Sequence, residues 1–253
     1  VGTTSAARNV VSAVVGVRRM LDRARALDLE HVIVDTSGLI AGDLGRTLKQ
    51  AKIDVTDPDL VICLEAHGEC EPIVHPYARR DRPRIVRLPP LAAPRRRSAD
   101  DRRRHRAAAL ARHLAAARPQ TLDLARVALR QPALLIGEPL GAVQLLDASD
   151  AAGTPVLWGE RSDAAIALVA ERRLTPAETG RIAGALGGGT VVSHGLDELV
   201  GVLAGLDDLH GEMRGIGVVR AVDFRAREMV VDTAVPADVI AVVTVGKERF
   251  EET

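Results

Sequence analysis

Two short stretches of this chain carry residue types that could do chemistry. The first is RRRSADDRRRHR, Arg95 to Arg106, with seven arginines in twelve residues of a chain whose formal net charge is zero. SADD reads as a capping box, with Ser98 at the N-cap and Asp101 at N3 reaching back to the cap amide. Arg97 is then N′, Arg102 is N4, and Arg106 follows one turn on. Like charges at that spacing repel by about a few tenths of a kcal/mol per pair. The positive end of the helix dipole disfavours them further. Such a row is costly unless a strong anion settles among the guanidinium groups. The second stretch is HVIVDTSGLI, an apolar run closed by Asp35, Thr36 and Gly38. An Asp ending an apolar strand has the shape of a Walker B element, whose carboxylate holds Mg²⁺. Gly38 would let backbone come close to a phosphate or a base. The plain alternative is an Asx-type turn, since Asp, Thr, Ser and Gly are ordinary turn residues.

Composition narrows the classes. A length of 253 residues allows one large domain or two ordinary ones, and 47% hydrophobic with 27% charged residues is globular. No run of about 18 apolar residues occurs, so no membrane span is expected. The N-terminus lacks the layout of a signal peptide, and a cytoplasmic location is the default. Neutral charge argues against a whole-surface nucleic-acid binder but not against a local basic site. Aromatics make up only 2% of the chain, too few for single-strand binding by base stacking. Lysine occurs only at 49, 52 and 247, and the arginine bias is also what a GC-rich genome produces. Cys63, His67 and Cys70 in CLEAHGEC are metal-ligand types, but Cys63 lies inside the apolar run LVICL, where a buried strand cysteine is usual.

The elements that must position these residues follow from periodicity. Residues 8–26 carry Val10, Val11, Val14, Val17, Leu21 and Ala24 at helical spacing. HVIVD reads as a buried strand, GRTLKQAKIDV as a short helix, DLVICLE as a second strand and RIVRL as a third, with a helix between Glu69 and Arg80. This alternation implies a parallel sheet of β-α-β units. The arginine segment opens a helix with Ala107, Leu110, Ala111 and Leu114 as its buried stripe, ended by Pro119. LDLARVALRQP reads as a strand. TPAETGRIAGAL is a helix capped by Thr175 with Pro176 at N1 and Glu178 at N3. GALGGGT reads as a helix stop, because no Lys-Ser or Lys-Thr follows it. From Leu199 onward, short alternating runs predict antiparallel hairpins forming a small sheet or barrel. The expected class is α/β: part of a P-loop NTPase sheet with a helical lid in residues 1–118, then a smaller mixed domain with antiparallel strands in 119–253.

The motif G-x-x-x-x-G-K-[ST] is absent from the 253 residues. The order of elements fits a P-loop protein whose first part precedes Val1. VGTTSAARNVVSAVVGVRRMLDRA, HVIVDTSGLIAG, DPDLVICLE and RRRSADDRRRHRAAALARHL, in that order, resemble the P-loop polynucleotide 5′-hydroxyl kinases, the RNA kinases of mRNA-cleavage-factor and ribosomal-RNA-processing type. GIGVVRAVDFRAREMVVDTAVP is similar to the β-domain that closes those proteins. The resemblance implies transfer of the γ-phosphoryl group of ATP or GTP, with Mg²⁺, to the 5′-hydroxyl end of RNA or DNA. It places the lid arginines on Arg97, Arg102 and Arg106 and a clasp on the terminal nucleotide on Thr4, Thr36, Gly38 and Leu39, while the strand-end reading makes Asp35 the Mg²⁺ ligand and, with Thr36, a ligand of the nucleotide. Leu39 stands where the eukaryotic proteins carry Trp, and Ala6 where they carry Pro. The resemblance puts the general base upstream of Val1, so the chain alone is expected to be inactive. It implies no particular protein partner. Two other classes fit some features: a non-catalytic RNA-binding or scaffold protein on the same fold, and a P-loop GTPase of the metallochaperone or targeting kind.

Overall fold

The computed structural model describes residues 9–90 and 98–250, so Thr4, Ala6 and Arg97 lie outside the described residues. The chain divides into two compact units between Asp101 and Arg102, a point that falls inside a helix.

In the first unit, α1 (Val10–Ala26) starts at Asn9, whose side chain accepts from the Ser12 amide at 3.2 Å. Val10, Val14, Val17, Leu21 and Ala24 form its inner face, while Val11 is exposed. Next come α2 (Gly42–Thr56), β1 (Leu60–Leu64), α3 (Glu71–Val74) with a 3-10 turn at His75–Tyr77, and β2 (Arg84–Leu88). The two strands pair in parallel from Leu60↔Arg84 to Leu64↔Leu88, so the β-α-β alternation is realised. Glu65, just past β1, holds the start of α3 by accepting from the Cys70 amide at 2.8 Å. The unit's small core joins Cys63, Ile73 and Val74 with Ile40, Ile53, Val61 and Ile85.

One expectation is overturned here. Residues 31–37 form no strand, and the apolar run is exposed, with Ile33 at 94%. Among the described residues, the sheet contains only β1 and β2 and gives this run no partner. Without a ladder to join, a segment with the composition of a strand does not make one.

Helix α4 (Ala99–Leu114) begins as expected: Asp101 N–H donates to Ser98 Oγ at 3.0 Å, and Ser98 N–H donates to Asp101 Oδ2 at 3.2 Å. Of the expected stripe, only Leu110 and Leu114 are even half-buried; Ala107 and Ala111 are exposed. Pro119 does not terminate the helix, which ends at Leu114. It lies instead in β3 (Arg118–Asp123), at the edge of a sheet, where a missing N–H is tolerated.

The second unit has two sheets. Six strands run in the order β3-β11-β10-β9-β12-β4, where β4 is Ala128–Gln131, β9 Val202–Asp207, β10 Met213–Asp223, β11 Glu228–Thr233 and β12 Val242–Arg249. The C-terminal strands pair antiparallel; only β12 and β4 are parallel. The two edge strands, β3 and β4, are joined by residues 124–127 alone. Four residues span at most about 13–14 Å, so the sheet must curl until its edges approach. The second sheet is β5 (Glu138–Pro139), β6 (Val156–Arg161), β7 (Ile166–Ala170) and β8 (Val191–Gly195), with α5 (Ala142–Ala152) and α6 (Pro176–Ala185). One of its faces packs on the helices through Ile166, Leu168, Ala148 and Ile182. The other gives Trp158 and Val169 to the core of the six-stranded sheet, where Trp158 stacks on Phe224 at 5.9 Å. Glu160 is 2% exposed yet accepts three donors: the Leu135 and Ile136 amides and Trp158 Nε1. Satisfied in this way, a buried carboxylate ties the 132–136 loop to β6. Residues 142–161 carried no expectation from periodicity.

Candidate functional site

The loop from Asp35 to Ile40 is built from one side of α2. Ile40 enters the unit's core. Gly45 on α2 faces it so closely that a Cβ there would lie 2.8 Å from the Ile40 carbonyl carbon. One turn further along the same helix face, Lys49 is only 7% exposed. Its ammonium donates to Thr36 Oγ1 at 2.7 Å and, by a short bond, to the Ser37 carbonyl. Burial lowers the Lys49 pKa and Lys52 adds to this, while Asp35 and Cys70 act in the opposite sense. No carboxylate among the described residues lies within ion-pair distance of Lys49.

The four residues this arrangement displays, Asp35, Thr36, Ser37 and Gly38, are exposed, and Leu39 is half-buried. No described side-chain hydrogen bond or ion pair engages Asp35. Among the described residues nothing lies within 4 Å of the place a Gly38 Cβ would take, and its φ is not left-handed. Neither packing nor backbone geometry therefore demands a glycine at 38. Among the described residues no cluster of three His, Cys, Asp or Glu side chains could hold a metal ion. Cys63 is buried against Ile73 and Val74, with its thiol pushed up to about 11, first by burial and then by Cys70.

On α4, the capping box sets Arg102 at N4 and Arg106 one turn on, so both share one exposed edge of the helix. Asp35, Thr36, Gly38 and Leu39 thus belong to one loop of the first unit, and Arg102 and Arg106 to one helix edge of the second. Gly45 and Lys49 were missed by sequence reasoning. The available signal was a glycine and a lysine at i and i+4 in an arginine-dominated chain, inside the helix that follows the loop.

The parallel β-α-β unit and the two sheets of the second unit define an α/β protein. Residues 1–115 match the family described as the mRNA cleavage and polyadenylation factor CLP1 P-loop. A polyribonucleotide 5′-hydroxyl-kinase of Thermococcus kodakarensis is 25% identical over 227 residues, covering 88% of this chain and 60% of that protein. A namesake from Pyrococcus abyssi is 24% identical over 253 residues, covering 100% of this chain and 68% of its own. Among solved structures, a Clp1p–Pcf11p complex superposes with a TM-score of 0.51 at 10% identity, over 95% of this chain and 52% of that one. The first 115 residues are thus similar to that family, and the chain spans about 60% of the length of the Thermococcus relative. No helix among the described residues is long and apolar enough to cross a membrane.

Proposed function

We propose that the protein containing this chain is a polynucleotide 5′-hydroxyl kinase that moves the γ-phosphoryl group of ATP or GTP to the 5′-oxygen of RNA or DNA. In the reaction, the 5′-hydroxyl oxygen forms a bond to the γ-phosphorus as the bond to the β,γ-bridging oxygen breaks, the hydroxyl proton passes to a base and on to water, and the nucleoside diphosphate leaves. The observation that carries this reading is the formed capping box, which holds Arg102 and Arg106 one turn apart on an exposed edge. Two planar guanidinium groups at that spacing suit the equatorial oxygens of a phosphoryl group in flight. Arg97 would add a third.

Asp35 and Thr36 fit a magnesium nucleotide. Mg²⁺ takes one or two carboxylates and completes its shell with phosphates and water, so a single exposed Asp suffices without a protein-built cage. When bound, Mg²⁺ supplies neutralisation of phosphate charge. The open space before Gly38, with Leu39 beside it, admits the terminal nucleotide, and Thr4 would complete the clasp. Leucine offers a base an apolar surface but no ring. Residues 1–118 would make the kinase part and 119–253 the closing domain.

The test is transfer of radiolabelled γ-phosphate from ATP and GTP to a 5′-hydroxyl oligonucleotide by the full-length protein. Labelled oligonucleotide is expected, with turnover reduced about 10²- to 10³-fold in Arg102→Ala, the cost of losing one preorganised donor to developing charge. Salt-dependent binding of oligonucleotide with no label transferred would overturn the kinase reading in favour of a binding protein on this fold.

A further inference from the structure

The loop that presents Asp35, Thr36 and Gly38 has no ladder to hold it, since residues 31–37 form no strand. Its shape comes from α2. Gly45 admits the Ile40 backbone, and Lys49 reaches from the buried side to bind the Thr36 hydroxyl and the Ser37 carbonyl. Both described side-chain bonds of this buried cation go to that one exposed loop. A lysine kept from water with no carboxylate within ion-pair distance among the described residues is costly to maintain. Packing alone would be served as well by Leu or Met at the same place.

We propose that Lys49 is the positioning residue of the 5′-end site, holding residues 36–38 in the conformation that receives the terminal nucleotide. The proposal rests on the reading of Gly38 and Leu39 as that site. Lys49 acts through Thr36 and Ser37 and does not touch the reacting atoms. With the Ser37 carbonyl held by Lys49, the Gly38 N–H of the same planar peptide points the opposite way, and nothing described lies within 4 Å of a would-be Gly38 Cβ. The chemical class it selects is a polynucleotide end, in preference to the triphosphate.

The experiment compares Lys49→Met with wild type in the full-length protein, by the NMR chemical shifts of the Thr36 to Leu39 amides and by steady-state kinetics. Those shifts are expected to move. The KM for the 5′-hydroxyl oligonucleotide is expected to rise about tenfold, the scale of one hydrogen bond to a charged group, and by more than the KM for the triphosphate. Unmoved shifts at 36–39, or equal rises in both KM values, would overturn the proposal. If wild-type protein transfers no phosphate, the kinase reading fails, and the shift comparison alone decides the role of Lys49. Should Lys49→Met not fold, Thr36→Val removes one of the two bonds from the loop side and is expected to move the Gly38 and Leu39 shifts by less. No change there would count against the proposal equally.

Discussion

At the scale of single residues, the loop depends on what α2 omits as well as on what it supplies. Gly45 is a poor helix residue, costing about 1 kcal/mol relative to alanine. Yet a Cβ there would meet the Ile40 backbone at 2.8 Å, a contact that no side-chain rotation relieves. Overpacking of this kind costs about 1–3 kcal/mol, which outweighs the gain in propensity. Gly45→Ala is therefore expected to destabilise the first unit by up to about 2 kcal/mol, or to displace residues 36–40. Urea denaturation read at Tyr77 measures the first outcome, and oligonucleotide KM the second. A net stabilisation with unchanged KM would show that the loop does not lean on α2.

At the scale of elements, the helix starts are self-contained devices. In α6, Thr175 accepts from the Glu178 amide at 3.3 Å, and Glu178 accepts from the Thr175 amide at 2.7 Å. Arg172 adds a bidentate pair at 2.7 and 3.0 Å. The Arg172 guanidinium and then the Thr175 cap hold the Glu178 carboxyl at about 2, against an ordinary 4.5. A depressed acid stabilises the fold above its unfolded pKa and loses that contribution as pH falls through the folded one. Stability owed to this group is thus present at neutral pH and fades between about pH 4.5 and pH 2. Thermal unfolding across that window should show a steeper acid loss in wild type than in Glu178→Gln, which keeps the side-chain cap but not the charge. Parallel curves would mean the pair contributes nothing beyond a neutral cap.

At the scale of the whole molecule, the division between Asp101 and Arg102 comes with a natural pair of reporters. The chain has one Trp and one Tyr. Trp158 is buried in the core of the second unit, and Tyr77 is buried in the first, where its hydroxyl donates to Asp54 at 2.8 Å. Among the described residues, the first unit's cluster has three buried members around one pair of strands, whereas the second has two larger clusters and ten strands. Less buried apolar surface means less to offset chain entropy. In urea, the Tyr77 signal is expected to change at lower denaturant than the Trp158 signal. Coincident transitions would mean that the units unfold as one cooperative body.

What the sequence by itself determined were features whose partners lie within a turn or two. The Ser98–Asp101 and Thr175–Glu178 boxes could be read because donor and acceptor sit three residues apart. The helices α1 and α2, and the strands β1 and β2, followed from periodicity, and the arginine spacing on α4 followed from the cap. Only the tertiary structure decided the rest. Residues 31–37 have the composition of a strand, but a strand requires a neighbour, and composition does not say whether one is there. Pro119 stops helices, but in β3 it meets an edge where no donor is needed. Lys49 and Thr36 are 13 residues apart, and their bond exists because α2 packs its Gly45–Lys49 face against the loop. Local propensity carries no record of such a contact, because its free energy comes from excluding water between segments that meet only once the chain has folded.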